Sequence, residues 1–265
     1  MGRVALLSGA RAPERSGDAP AATLPQARPA HKRNKETPMS RPVVIVGGWL
    51  SSPADYARMA RILAAQPRKR IVYITDISRR EWASLRDPHF TPVLDMVART
   101  VELALRETGA DRVDLIGHSA GGRIARAYLG HLPYAGVTYD GQRYVASLTT
   151  LGTAHETYEV WVKEFAHQVN DQYPGAFYKH IAYRSVAGES VRGRRFGGVE
   201  EMVAYQSYQT AFGDGNMLGD GIIPTTSCYL AGADNLVLKG ARHAPYNAPS
   251  MWYGARSVIP LWFDA

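Results

Sequence analysis

Residues 114–130 read DLIGHSAGGRIARAYLG, and the fold turns on how this stretch is read. Its apolar opening, joined to Arg112 and Val113, has the length and pattern of a buried strand; from Gly121 onward the apolar residues take helical spacing. Between the two stands Ser119, flanked by His118 and Ala120, with Gly117 and Gly121 two residues to either side. A chain that passes from strand to helix with no linking residues must turn sharply. The residue at the turn then takes strained backbone angles, and bulky neighbours would clash; glycine at both offsets removes the clash. The same turn sets Ser119 at a helix N-terminus, where backbone N–H groups and the helix dipole favour negative charge.

Outward from this turn the chain alternates. PVVIVGG (42–48) is a continuous apolar run of the kind found in a fully buried strand, and KRIVYIT (69–75), YVASLTTLGTAH (144–155), HIAYRSVAG (180–188) and DNLVLKG (234–240) read as further strands. Helices fall between them. SSPADYARMARILAAQ (51–66) opens with Ser52 at the N-cap, Pro53 at the first helical position and Asp55 three residues after the cap. TPVLDMVARTVELALRETGA (91–110) carries Val93, Val97, Val101, Ala104 and Leu105 on one stripe and ends on Gly109. Strands alternating with helices predict the α/β class: a mainly parallel sheet with helices on both faces.

Residues 154–180 predict a helix and loop, with Tyr158, Trp161, Val162, Phe165 and Val169 on one helical face. Residues 189–218 add the segment ESVRGRRFGG (189–198) and a helical stretch to Phe212. The expectation is one domain over residues 41–265, with a cap insertion at about 154–218. Insertions at the carboxyl ends of strands are where α/β proteins build their sites.

A serine hydroxyl is a weak nucleophile at neutral pH and works only beside a base that a third group orients. Downstream of Ser119 the chain offers MLGDGIIPTTS (217–227) and LKGARHAPYNAP (238–249). Asp220 stands at a turn before Ile222, Ile223 and Pro224; Asp214, in GDGN (213–216), is its rival. His243 lies on the loop after the last predicted strand, where a base can reach across the strand ends. His31, His89, His131, His167 and His180 fall in the amino-terminal tail, at loop or helix ends, on the insertion helix and at a strand start. His118 points away from the site if Ser119 points into it. Charge developing on a carbonyl oxygen would need two N–H donors. Ala120 supplies one; Trp49, or Leu50 beside it, supplies the other from the loop after VVIVGG, where Gly47 and Gly48 let the backbone approach. Cys228, the one cysteine, reads as buried and inert.

With these residues assembled, the chain resembles the lipase-type α/β-hydrolases over roughly residues 42–263. VVIVGGWL is similar to the family's oxyanion segment, with Gly47 where that segment usually carries His. LIGHSAGG, LGTAH, GDGIIP and GARHAP are similar to its elbow, a core strand end, its acid turn and its base segment. The resemblance implies an α/β-hydrolase fold and ester hydrolysis through an acyl-enzyme, often of lipids. It implies Ser119 as nucleophile on an elbow formed with Gly117 and Gly121, His243 as base and then acid, and Asp220 orienting His243. Trp49 and Ala120 would form the oxyanion hole. The insertion would cap an apolar acyl pocket, with Arg192, Arg194 and Arg195 near its mouth. Two other readings rest on the same residues: an acyltransferase that delivers the acyl group to an alcohol, and a hydrolase-fold binding protein without catalysis.

The 265 residues are 45% hydrophobic and 21% charged, enough for a sizeable core in one domain. Of the net charge of +7, a net +4 lies in residues 1–40. The body is therefore only mildly basic, and no basic stripe interleaved with aromatics points to nucleic acid. The tail, rich in Ala, Pro, Arg and Gly, is expected to be disordered; it reads either as a transit segment or as an over-extended start before Met39. No apolar run reaches the length of a membrane span, so only transient contact with a membrane surface is expected. A single thiol forms no internal disulfide, and the expected location is cytoplasmic, or plastid if the tail is a transit peptide. No Cys/His cluster or phosphate loop calls for a metal or cofactor. The expected partner is a small-molecule ester or lipid.

Overall fold

The structure, a computed structural model, describes residues 40–87, 89–156, 160–246 and 249–263, and no side chains over 160–164. The amino-terminal tail expected to be disordered lies outside the described residues, as does Tyr158; the side chain of Trp161 is likewise outside them.

Six strands form one parallel sheet. They are β1 (Val43–Val46), β2 (Val72–Ile74), β3 (Val113–His118), β4 (Val145–Leu151), β5 (Ala182–Glu189) and, last in the chain, β8 (Asp234–Lys239), in the order β2-β1-β3-β4-β5-β8. Successive side chains on a strand face opposite ways. Val44 and Val46 of β1 thus enter one core and Val43 and Ile45 the other. Helices α3 (Thr91–Thr108), α4 (Ala120–Leu129) and α5 (Val160–Gln172) cover the first face. Helix α1 (Pro53–Ala64) and a carboxyl-terminal segment with Trp252, Tyr253, Ile259 and Trp262 cover the second.

Local chemistry sets the element ends. At the start of α1 the Asp55 carboxylate accepts the Ser52 N–H at 2.8 Å and the Ser52 hydroxyl at 3.0 Å. Helix α3 ends on Gly109 in the left-handed region, φ 67°, which glycine adopts without penalty. A short helix that the sequence pattern does not announce, α2 (Arg79–Ser84), starts where Ser78 and Glu81 cap each other reciprocally.

The sheet order reverses between β1 and β3. The chain runs outward from β1 to β2, then crosses back to β3 on the other side of β1. The carboxyl ends of two strands that diverge in this way leave a crevice, the usual place for a ligand in such sheets.

The range 154–218 is not one continuous insertion, because β5 in its middle pairs with β4 and β8. Phe165 and Val169 of α5 belong to the main core. What stands apart is the excursion after β5. It contains β6 (Val191–Arg192), α6 (Val199–Phe212) and β7 (Leu218–Gly219), with β6 and β7 antiparallel and a small core of Val191, Ala204 and Tyr208.

Candidate active site

Ser119 follows β3 directly, at φ 54° and ψ −126°, a region costly for any residue with a side chain. The surroundings hold it there. A Cβ on Gly121 would collide with the carbonyl oxygen of Val46, and one on Gly117 would lie 2.5 Å from the Cα of Gly122. The turn is therefore packed against β1 and the start of α4 too closely for any larger residue. Ala120 is the first residue of α4, and the first N–H groups of a helix have no partner within it.

His243 lies on the loop after β8. Its Nε2 is 3.0 Å from Ser119 Oγ and its Nδ1 is 2.8 Å from Asp220 Oδ2. Asp220 is buried. Its Oδ1 accepts the N–H groups of Ile222 and Ile223 at 3.0 and 2.7 Å, and its own carbonyl accepts the His243 N–H at 3.0 Å. Burial pushes the carboxyl up, but the charge and hydrogen bond of His243 and the two backbone donors outweigh it and hold Asp220 below the usual carboxylate range. An ionised Asp220 can only accept, so His243 Nδ1 donates to it, and in the neutral ring Nε2 then turns a lone pair to the Ser119 hydroxyl. Asp214 is elsewhere: its carboxylate accepts the Asn216 N–H at 2.8 Å in an exposed turn.

The loop after β1 meets the elbow from the other side. A Cβ on Gly48 would lie 2.8 Å from the Cβ of Ser119, so only glycine allows this approach. The Gly48 carbonyl is held by Ser51, from Oγ at 2.6 Å and from N at 3.2 Å. In a trans peptide the N–H points opposite to the C=O, so fixing the Gly48 carbonyl toward Ser51 aims the Trp49 N–H away from it. Leu50, the other residue considered at this position, has φ 55° and is exposed.

A pocket of about 570 Å³ opens at Ser119 and Ala120. Trp49, Phe90, Ile124 and Phe165 form its apolar inner wall, and Arg123 also borders it. Its outer wall is α6, through Val203, Gln206, Ser207, Thr210 and Ala211, one stripe at helical spacing. The lining from the excursion thus comes from α6 and from Ile222 and Ile223 beyond β7. Arg192, Arg194 and Arg195 do not line the pocket: Arg192 donates to the Asn216 carbonyl, Arg194 pairs with Glu201, and Arg195 lies over the Phe196 ring. A second pocket of about 510 Å³, sharing Val203 and Ile222 with the first, reaches His243 past Arg242 and Tyr246. Among the described residues, no three His, Cys, Asp or Glu side chains converge as metal ligands would, and no helix is long and apolar enough to cross a membrane.

A family model described as the alpha/beta hydrolase fold matches residues 41–190. The chain belongs to that family. The described architecture is that of an α/β-hydrolase, with six parallel strands, and solved structures agree. A lipase of Bacillus licheniformis in its mature form shares 19% identity over 84% of this chain and 91% of its own, with a TM-score of 0.59. A phospholipase of Legionella pneumophila, in complex with thio-NAD, shares 16% identity over 82% of this chain and 54% of its own, with a TM-score of 0.52. This α/β-hydrolase therefore spans about half of that phospholipase. At such identities the likeness is one of fold. No curated protein matches the chain in sequence.

Several residues of this hydrolase site escape sequence reasoning. The Tyr253 hydroxyl donates to Asp220 Oδ2 at 2.8 Å and accepts the Gly188 N–H at 2.7 Å. Phe90, at φ 57° just before α3, packs edge-on to Trp49 and to Phe165, with ring centroids 6.3 and 5.1 Å apart. His118, which points away from Ser119, lies under His243 with ring centroids 4.8 Å apart. Tyr253 and Phe90 carry no motif; His118 stands in the elbow and reads there only as pointing away from Ser119, and its place against His243 comes from packing. Cys228 is buried, and burial raises its thiol well above the usual value.

Proposed function

We propose that the protein hydrolyses carboxylic esters, lipid-like ones among them, through an acyl-enzyme on Ser119. The observation that carries this reading is the continuous contact from Asp220 to His243 to Ser119, at 2.8 and 3.0 Å, on the floor of an apolar pocket.

The chemistry follows from the proton positions. Ser119 Oγ attacks the ester carbonyl carbon while its proton passes to His243 Nε2. The imidazolium formed is stabilised by the Asp220 carboxylate, which keeps its charge. The carbonyl oxygen becomes an oxyanion facing the N–H groups of Ala120 and Trp49, with the dipole of α4 behind the first. Collapse expels the alcohol oxygen, which takes the proton from His243. A water then attacks the acyl-enzyme, giving its proton to His243, and the acid leaves as the proton returns to Ser119.

The pocket suits the acyl chain, because its walls are aromatic and aliphatic and each methylene buried there contributes about 0.8 kcal/mol. The cap is the excursion around α6, which screens the pocket from water. The test is an ester series from short to long acyl chains, with fluorophosphonate labelling of Ser119. Ser119→Ala should keep its fold and lose labelling and about 10³-fold or more in turnover. A folded Ser119→Ala protein that still turns over ester would end this reading.

A further inference from the structure

Behind the catalytic contact runs a second line of hydrogen bonds. The Gly48 N–H donates to the Tyr56 hydroxyl at 2.8 Å. The Tyr56 hydroxyl lies 2.8 Å from His118 Nδ1, and His118 Nε2 lies 2.9 Å from the carbonyl oxygen of His243. All four residues are buried. The directions are fixed by elimination. A backbone carbonyl only accepts, so His118 Nε2 carries a hydrogen. Burial, and then the charge of His243, pulls the His118 ring down to about 3, so the ring is neutral and its Nδ1 can only accept. Tyr56, pushed up to about 12 mainly by burial, keeps its proton and donates it to Nδ1. Its lone pair is then available to Gly48.

We propose that Tyr56 and His118 are positioning residues that lock the loop after β1 to the loop carrying His243. This rests on the ester-hydrolase reading above. The first loop carries the proposed oxyanion donor Trp49, one residue after Gly48, and the second carries the base. The first loop follows β1, inside the sheet between β2 and β3, and the second follows the edge strand β8, three strands beyond β3. The relay joins them through the residue that precedes Ser119, so donor, nucleophile and base share one register. Position 47 is glycine and has no side chain to brace the first loop; the bond from Gly48 to Tyr56, a residue of α1, supplies the brace. Ser51 holds the other side of the same segment through the Gly48 carbonyl. The Ser51 bonds fix the Gly48–Trp49 peptide through its carbonyl, and the Tyr56 bond fixes the adjoining Gly47–Gly48 peptide through its N–H, so the relay acts on the oxyanion donor by holding the peptide next to it.

The test is a double-mutant cycle of Tyr56→Phe and His118→Gln on the full chain. Each single variant should lower kcat about tenfold to a hundredfold with KM nearly unchanged, because one buried hydrogen bond that steadies the oxyanion donor is lost. Affinity for a trifluoromethyl ketone, which forms the oxyanion, should fall in step, while affinity for a long-chain alcohol should hold. The double variant should be little worse than either single one, since both cut the same line. Wild-type kcat and ketone affinity in folded Tyr56→Phe would overturn the proposal, as would strictly additive losses. Should Tyr56→Phe fail to fold, His118→Gln is read by the same measurements. A readout independent of turnover is the ¹⁵N spectrum of the His118 ring: the relay requires a neutral Nε2–H tautomer between pH 5 and 8 that changes in Tyr56→Phe. Another tautomer, or a titrating ring, overturns the relay even if the protein cleaves no ester. A wild-type protein that shows the tautomer but neither labelling nor turnover sinks the ester-hydrolase reading, and with it the positioning role.

Discussion

The Tyr253 hydroxyl and His243 Nδ1 donate to one and the same oxygen, Asp220 Oδ2, each at 2.8 Å. Tyr253 belongs to the carboxyl-terminal segment that packs against the sheet, so the acid turn is tied into the second core as well as to the base. Tyr253→Phe would leave the buried Gly188 N–H without this acceptor and remove one donor from the carboxylate. A buried donor left unpaired costs about 1–3 kcal/mol, which lowers Tm by several degrees in a chain of this size. The sign on pH is also set. A carboxyl held below its usual range contributes stability at pH above the unfolded value of about 3.9, and loses it as pH falls through the folded value. With one donor gone the folded value rises, so the acid limb of both stability and turnover should move to higher pH. Thermal melts and a pH–rate profile check this; an unchanged acid limb would mean that the tyrosine only fills space.

Asp220→Asn and Asp214→Asn form a matched pair, because each keeps size and removes charge in a Gly-flanked turn. Asn at position 220 cannot carry the charge that stabilises the His243 imidazolium and can favour the wrong tautomer. Turnover should fall about 10³- to 10⁴-fold there and stay within a factor of two for Asp214→Asn. The reverse ranking, read from kcat/KM on one ester, would move the acid to Asp214.

Two buried histidines set the acid stability. Burial and the His243 charge pull His118 down to about 3, and burial with Arg126 and Arg123 pulls His155 well below its ordinary value. In the unfolded chain both bind protons near pH 6.5. Between that value and the folded ones, the unfolded state holds more protons, so stability falls as pH drops. Each histidine contributes a slope of about 1.4 kcal/mol per pH unit once pH is well below 6.5. His155→Gln should therefore flatten the dependence between pH 6 and pH 5 by about that amount, measured by urea unfolding at each pH. An unchanged slope would show that His155 takes up a proton within the fold.

The parts that were legible in the sequence are those whose neighbours in space are neighbours in the chain. All six sheet strands read from local pattern, most plainly β1 and β3, which are buried along their whole length and carry unbroken or nearly unbroken apolar runs. The Ser119 turn reads for the same reason, since strand, turn and helix fall within seventeen residues. Helix α2 does not read, because its six residues RREWAS offer Trp82 as the one large apolar side chain. The cap is narrower than 154–218 because α5 packs into the main core through Phe165 and Val169, a long-range contact that its helical face does not reveal. Tyr56 reads as one more apolar position on α1. Its hydroxyl matters only because His118, 62 residues later, arrives beside it. Contacts of that span follow from topology, which single-segment periodicity does not carry.

The cap stripe on α6 makes the last prediction. Val203, Gln206, Ser207, Thr210 and Ala211 border the 570 Å³ pocket, whereas Met202 on the same helix is exposed and does not. If the acyl chain lies along this stripe, each added methylene should lower KM by up to about fourfold, from roughly 0.8 kcal/mol apiece, until the pocket is full. Thr210 is exposed on its outer side, so Thr210→Trp adds an indole to the wall without disturbing the core. The chain length at which KM stops falling should then shorten by several carbons, while short esters keep their wild-type kcat. Met202→Trp is the control, with the same bulk on a position that does not line the pocket. A Thr210→Trp enzyme whose chain-length profile matches wild type would place the acyl chain elsewhere. The 510 Å³ pocket past Val199 and Tyr246 would then be the one to probe, and Val199→Trp, which borders that pocket alone, should shift the profile in its place.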